Sequence, residues 1–495
     1  MNIKTKRKMC IGLITLSFFV FTTSCTVTDS TAPTQESGTT EHSTSEMSAP
    51  LPEFEFELYP DYAVLKAWNG TSEQVVVPAE ESGKPVTEIG AAAFAQKEAL
   101  TSIALPDSVT KINDQAFYGC TSLVDIKWPS NLQTIGEAAF YSCSSLTSIN
   151  LPETLTELKG YAFGECSALS EISLPKQITE LSEALFIRCT SLSSWTIPEQ
   201  ITSIGSAVFY ECSQLAAMEI PEQVTQIGDY VFAKCTALTN VVLPQNQTKI
   251  GEGFFSGCTA LSSYTIPEHI TEIGKGAFNG CSNLTELNLH DRITIIGEQA
   301  IAGCAKLETV NLPSGLSIIP DGLFADNTAM KKTIIPDSVT SIGEGAFYDC
   351  SALTEIQLPN SITEIGKYAF AGCSSLTTLD LPPDLKIISE GLFSRCSSLK
   401  KIQMQNEITL IEDGAFFECQ SLEEVEIPPL VTQIGNSAFG SCSRLTKVYL
   451  PDKIEEMNEL AFTDCPDELV LYGQAGSYAE SFAKQQSLHF QVVSD

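Results

Sequence analysis

Residues Leu123 to Leu146 read LVDIKWPSNLQTIGEAAFYSCSSL, and Leu146 to Leu169 read LTSINLPETLTELKGYAFGECSAL. Superimposed, the two stretches match Leu123 to Leu146, Ile126 to Ile149, Pro129 to Pro152, Phe140 to Phe163 and Cys143 to Cys166. The same offset of 23 residues carries cysteine from Cys120 to Cys304 and from Cys350 to Cys465, with Asn327 filling the gap and Lys97 extending the register backwards. Phenylalanine repeats with it from Phe94 to Phe462, broken only at Ile301. A fixed period of this length without insertions is the mark of stacked repeats, and it has to be recognised before any secondary structure is assigned.

Within one unit, the spacing of Leu146, Ile149 and Leu151 buries one face of a short strand. Pro152 then ends the strand, because proline has no amide to continue a ladder. A second apolar pair such as Leu132 and Ile135 predicts another extended segment, Gly136 suits a tight turn, and Glu-Ala-Ala-Phe suits one short helical turn. A lone coil cannot bury these side chains, whereas stacked coils place Leu on Leu, Phe on Phe and Cys on Cys. The expected fold is a repeat solenoid of about 17 coils spanning 91–465, roughly 80 Å long at the strand spacing of about 4.8 Å. Residues 51–90 are expected to form an N-terminal cap from the alternating Phe54, Phe56 and Leu58, the Asn69-Gly70 turn and the strand at Val75–Val77. Residues 466–495, which read strand, helix, strand, are expected to close the other end.

The unit with Ile-Pro or Leu-Pro, Val-Thr or Ile-Thr, Ile-Gly, Ala-Phe, Cys and Leu resembles the BspA-type leucine-rich-repeat family over about residues 85–465. Gly476-Ser477-Tyr478-Ala479-Glu480 is similar to that family's usual C-terminal end. The resemblance implies a leucine-rich-repeat surface protein, in a family some of whose members are implicated in adhesion. It carries over no catalytic motif.

Lys4, Lys6, Arg7 and Lys8 precede a short apolar run from Met9 to Phe21. About 13 apolar residues are too few to span a bilayer, so 1–24 reads as a secretory signal. Ser24-Cys25 resembles the cleavage box of bacterial lipoproteins, with Thr22 where that pattern usually has Leu. Cys25 is the expected lipidation site, and an ordinary signal peptide is the alternative. Acyl chains on it would place the protein at the cell membrane or outer membrane, anchored by lipid alone. Residues 25–50 are rich in Ser and Thr and nearly free of apolar residues, the composition of a tether.

The chain has 28 Lys and Arg against 61 Asp and Glu, a formal net charge of -33. That balance repels phosphate backbones and excludes nucleic acid as the expected partner. The cysteines admit a metal site, a disulfide network or packing as buried thiols. The spacing lacks the paired ligands of a metal centre, and stacked side chains point alike rather than at one another, so buried thiols are expected. Histidines at 42, 269, 290 and 489 do not converge, and neither HExxH nor GxSxG occurs. We expect no enzyme, cofactor or metal.

The residues between the buried positions of the first strand face outward and list a candidate surface for an extracellular protein or glycan. It runs through Asp125, Lys127, Asn150, Glu171, Thr196 and Glu219, then Asn240, Thr265, Glu286, Asn288 and Asn311. It continues through Lys331, Lys332, Glu355, Gln357, Asp380, Lys400 and Lys401 to Glu424, Glu426, Lys447 and Tyr449. The four lysines at 331, 332, 400 and 401 are basic spots in an acidic protein. A solvated sheet without a ligand is the competing reading, and a scaffold in the cell envelope is the competing role. Tyr118, Tyr141, Tyr210 and Tyr348, with Tyr161, Tyr230 and Tyr368, are expected to gather and bury one another at the helical corner. From Leu287 to Ile335 the pattern loosens at His290, Ile301, Pro320, Asn327 and Met330, which marks a bend, a partner site or drift.

Overall fold

The computed structural model describes residues 52–493; the expected signal, Cys25 and the tether lie outside the described residues. From Gln74 onwards the chain winds through coils that each contribute a three-residue strand to a wide sheet and a two-residue strand to a narrow one, except where noted below. Strands of successive coils pair in parallel with a constant offset, as Ser148–Asn150 does with Glu171–Ser173 and Lys249–Ile250 with Glu272–Ile273. In nearly every wide strand the middle residue is buried and its neighbours are exposed, so period-2 alternation is what turns the sequence repeat into a sidedness.

The core is one continuous stack. Phe347 lies 5.3 Å from Phe370 with the rings 6° from parallel, and Phe416 lies 5.1 Å from Phe439 at the same angle. Between the stacks at either end, Phe254 enters edge-on against Phe232 and Phe255. Burying one such ring contributes roughly 1.5–3 kcal/mol. Outside the core, threonine hydroxyls such as those of Thr202 and Thr271 donate to the carbonyl one coil back.

The expected helical corner is absent. Over Glu137–Cys143, the amides of Ala139, Tyr141 and Cys143 close turns onto Gly136, Ala138 and Phe140, while those of Ala138, Phe140 and Ser142 donate to Gly160, Ala162 and Gly164 of the next coil. Half of the bonds that a helix would keep to itself therefore tie coils together. This alternation requires a left-handed backbone at Ala138 (φ 52) and Ser142 (φ 62), and the same two places recur coil after coil.

The glycine after the narrow strand opens a turn as expected, the Gly136 carbonyl accepting from Ala139, and it has a second role. At Gly136 an added Cβ would lie 2.5 Å from the backbone nitrogen of Asp114, and at Gly274 2.7 Å from that of Glu252. Neighbouring coils approach too closely there for any side chain.

At the N-terminal end, Phe54–Leu58 pairs antiparallel with Ala63–Trp68, and the Trp68 ring lies 5.6 Å from Phe94, covering the start of the phenylalanine stack. At the other end, Val470–Gly473 is followed by a helix over Tyr478–Gln486 and the strand His489–Val492, which pairs back onto it. Ser477 caps the helix by accepting from the Glu480 amide, and Glu480 reaches back to the Gly476 amide at 2.6 Å, a reciprocal cap. Ala479, Phe482 and Ala483 are buried beneath it.

Candidate binding surface

The wide sheet presents the surface nominated from the sequence. Asp125, Lys127, Asn150, Glu171, Glu219, Asn240, Thr265, Glu286, Asn288 and Asn311 are outward residues of its strands, and so are Lys332, Glu355, Gln357, Asp380, Lys401, Glu424, Glu426 and Lys447. Lys331 and Lys400 are exposed one residue before their strands, and Tyr449 is half-buried. Thr196 is exposed, but its segment is not a strand. There the half-buried Trp195 donates its indole N–H to the Ile172 carbonyl at 3.0 Å and sits between Phe186 and Phe209.

Charge on this surface is unevenly committed. Lys331 pairs with Glu308 at 2.7 Å, Lys447 with Glu424 at 3.4 Å, and the Asn288 amide donates to Glu286. Among the described residues, Lys332, Lys400 and Lys401 have no carboxylate within ion-pair distance, and Ile334 beside Lys332 is 72% exposed. At the C-terminal end Tyr449 stacks on Tyr472 at 4.7 Å. Exposed pairs of this kind contribute at most about 1 kcal/mol to stability, so the face is free to be chosen for recognition.

The thiols are not reactive groups. All fifteen in the coils are free, and fourteen are buried. Each Sγ donates to the carbonyl 26 residues earlier, as Cys212 does to Phe186 at 3.1 Å. Burial pushes the Cys212 thiol up to about 12 and the half-buried Cys465 up to about 11, away from the thiolate a nucleophile or metal ligand needs. Among the described residues, no group of three His, Cys, Asp or Glu side chains is placed to hold a metal ion. His290 Nε2 lies 3.0 Å from the Pro267 carbonyl, a bond that holds the ring where other coils carry proline.

The sequence anticipates the tyrosines of the turn ridge but not two other features, the ion pairs across that ridge and a row of clefts. Tyr141, Tyr161 and Tyr230 pack with Ala184, Ile187, Ala207, Tyr210 and Ala233 in a second apolar cluster along the turn ridge, which gives the tyrosines the partial burial expected of them. Across that ridge Arg188 bridges Glu165 and Glu211, both at 2.7 Å, and Lys234 joins Glu211 at 2.7 Å. The second feature is a row of clefts on the narrow sheet, of 520, 460 and 340 Å³, beside Ile295, Ile387 and Leu410 respectively. The sequence signal was present, because apolar residues stand at the outward register of those strands, but a two-residue strand shows no alternation to flag them.

Coils of 23 residues with an inward Leu, Ile and Leu and paired wide and narrow strands define a leucine-rich-repeat solenoid. The model of the BspA type leucine rich repeat region matches residues 87–216, 202–331 and 317–443, and the chain belongs to that family. It is similar to a leucine rich cell surface protein from Faecalibacterium prausnitzii A2-165, with 28% identity, 68% of this chain and 95% of that chain covered, and a TM-score of 0.53. A leucine-rich repeat protein from Bacteroides ovatus ATCC 8483 matches at 24% identity over 90% of this chain and 99% of that one, with a TM-score of 0.49. No curated protein matches the chain.

Proposed function

We propose that this protein is an exported recognition protein that binds an extracellular protein or glycan through the outward face of its wide sheet and has no catalytic role. The observation that carries the reading is the contrast between an interior of stacked apolar side chains and an outward face where, among the described residues, Lys332, Lys400 and Lys401 have no carboxylate within ion-pair distance in a chain of net charge -33. A solenoid sheet offers an extended rigid surface at no further entropic cost, which favours binding. Export is supported by the basic-then-apolar N-terminus, and a lipid anchor at Cys25 by the Ser24-Cys25 pair. The name of the Faecalibacterium protein, a cell surface protein, agrees with this location.

The test is capture of the full chain on arrays of extracellular matrix proteins and bacterial polysaccharides. The captured ligand is then measured against the Lys332→Glu/Lys400→Glu/Lys401→Glu variant. We expect at least a tenfold loss of affinity; unchanged affinity would move the ligand off this face. A Cys25→Ser variant is expected to lose partition into detergent, and retained partition would rule out the lipid anchor.

A further inference from the structure

The narrow sheet carries the same small constellation twice. Ile295 and Ile318 stand on consecutive coils at the outward register and are 54% and 51% exposed, whereas the isoleucine that follows each, Ile296 and Ile319, is buried. Ile387 and the half-buried Leu410 repeat this on two further coils. Beside the first doublet Lys275 pairs with Glu298 at 2.6 Å, and beside the second Lys367 pairs with Glu390 at 3.0 Å. Every member of the second set lies 92 residues after its counterpart, which is four repeats of 23 and about 19 Å along the solenoid. The clefts on this sheet adjoin these doublets.

Three exposed isoleucines and the half-buried Leu410, set in two doublets, form an apolar face suited to a partner. A partner must bring apolar groups in two pairs about 19 Å apart, and a second copy of this chain carries two pairs at that spacing. A two-fold axis between the Ser341 and Glu364 coils, running along the strands, turns the second solenoid antiparallel and matches the outward residues one for one. Ile318 then meets the partner's Ile387, Ile295 meets the partner's Leu410, and Ser341 meets the partner's Glu364. Further out Glu272 and Lys249, paired with each other at 2.9 Å within one chain, meet the partner's Gln433 and Glu456, which are joined by a hydrogen bond of 3.3 Å in theirs. The row contains two apolar matches, two hydrogen-bonding matches and one opposite-charge match, with no like-charge contact.

We propose that the narrow sheet is a self-association face through which two chains pack antiparallel as an isologous dimer. This goes beyond ligand recognition, which the proposed function assigns to the other sheet. One margin opposes the contact, because three residues after the outward residue of each strand Glu298 faces the partner's Asp413, Asp321 the partner's Glu390 and Glu252 the partner's Glu459. Glu344 facing the partner's Lys367 offsets this only in part. Association is therefore expected to strengthen as salt screens that margin.

Sedimentation velocity of the full chain over a concentration series tests this. We expect a monomer–dimer equilibrium that shifts towards dimer between about 0.05 and 0.5 M salt, where the Debye length contracts from above to below about 10 Å. Ile318→Lys and Ile387→Lys each should weaken association at least tenfold, and both positions are solvent-facing, so folding is retained. Lys249→Glu should weaken it, and Lys249→Glu/Glu456→Lys should restore it. Those two residues lie nine repeats apart in one chain, so restoration reports contact between two molecules. A chain that stays monomeric at every salt concentration, a dimer indifferent to Ile318→Lys, or a failure of the paired exchange to restore association would each overturn the proposal. A monomer would leave the clefts to a foreign segment.

Discussion

The coils from Gly205 to Cys281 and those from Leu287 to Ile335 solve one stacking problem with different side chains. In the first region Phe209 stacks on Phe232 at 5.5 Å, 6° from parallel, and every cysteine thiol donates to a carbonyl of an earlier coil. In the second, Ile301 replaces Phe, Asn327 replaces Cys and Met330 replaces Leu, and all three are fully buried. Asn327 keeps the thiol's bond, donating to the Ile301 carbonyl at 3.0 Å, and adds one by accepting from the Cys304 amide at 2.7 Å. Thr333, in a register that is aliphatic except for Trp195 and Tyr264, donates to the Val310 carbonyl, as those two do to the carbonyls of Ile172 and Val241. The repeat yields only at Pro320, which stands in the glycine register. Gly297 and Gly343 donate to Ile273 and Ile319, but Pro320 has no amide for Ile296, and the narrow strands on either side belong to separate sheets. Identity is negotiable in this array where volume stays filled and the carbonyl bond is kept, and Pro320 is the place where the bond is given up.

The largest test removes the property that both regions share. Neutral buried thiols are protonated in the folded chain at pH values where they ionise in the unfolded one. Their contribution is complete below the unfolded value of about 8.5 and declines as pH rises towards the raised folded values, about 12 for Cys212 and Cys281. Each thiol in an unfolding unit removes about 1.4 kcal/mol per pH unit in that window. Chemical denaturation at pH 8, 9 and 10 should show a steep loss for Gly205–Cys281 and a shallower one around Asn327. A flat profile would contradict the buried ladder. In the same experiment, native protein at pH 8 should yield at most Cys465 among the coil thiols to a disulfide reagent.

Next in size is Phe232→Ala, expected to cost about 3–5 kcal/mol locally, against about 2–4 for Ile301→Ala where less volume is removed. Hydrogen exchange of the flanking amides reads each, because solenoid stability is set between neighbours. Equal effects would mean that the second region is packed as the first. Asn327→Leu should follow at about 2–4 kcal/mol, since it orphans both the Cys304 amide and the Ile301 carbonyl. Asn327→Cys, which restores the repeat, should stay within about 1 kcal/mol because one carbonyl bond survives.

The period, the buried registers and the sidedness of the wide sheet were legible because each depends on residues repeating in place: Leu146 over Leu169, Phe140 over Phe163, Cys143 over Cys166. The turn ridge was misread because Glu-Ala-Ala-Phe has helix-forming composition, and only stacking reveals that Ala138 and Phe140 gain more by bonding the next coil. Gly136 was legible as a turn glycine but not for its second role, which is set by a neighbour's backbone. The outward wide-sheet residues could be enumerated, but whether Lys400 is paired depends on distances between coils. The narrow-sheet doublets needed the fold first, since Ile295 and the buried Ile296 are indistinguishable in the string.

The smallest effects compare the left-handed corners. Coils at Ala138 and Ala184 place a side chain where coils at Gly276 and Gly345 have none, at φ 52 and 51 against 58 and 57. A non-glycine residue held there costs roughly 1–2 kcal/mol, while alanine lowers the entropy of the unfolded chain and returns about 0.4–1. Gly276→Ala should therefore destabilise by up to about 1.6 kcal/mol, and Ala138→Gly should stabilise by a similar amount. Gly276 is the clean choice, because its added Cβ would meet nothing nearer than Asn279 at 3.7 Å, whereas at Gly253 it would strike the Tyr230 ring at 2.2 Å. Denaturation midpoints moving in opposite directions for the two variants would show that the corner itself carries the cost. Movement in the same direction would place it in packing between coils.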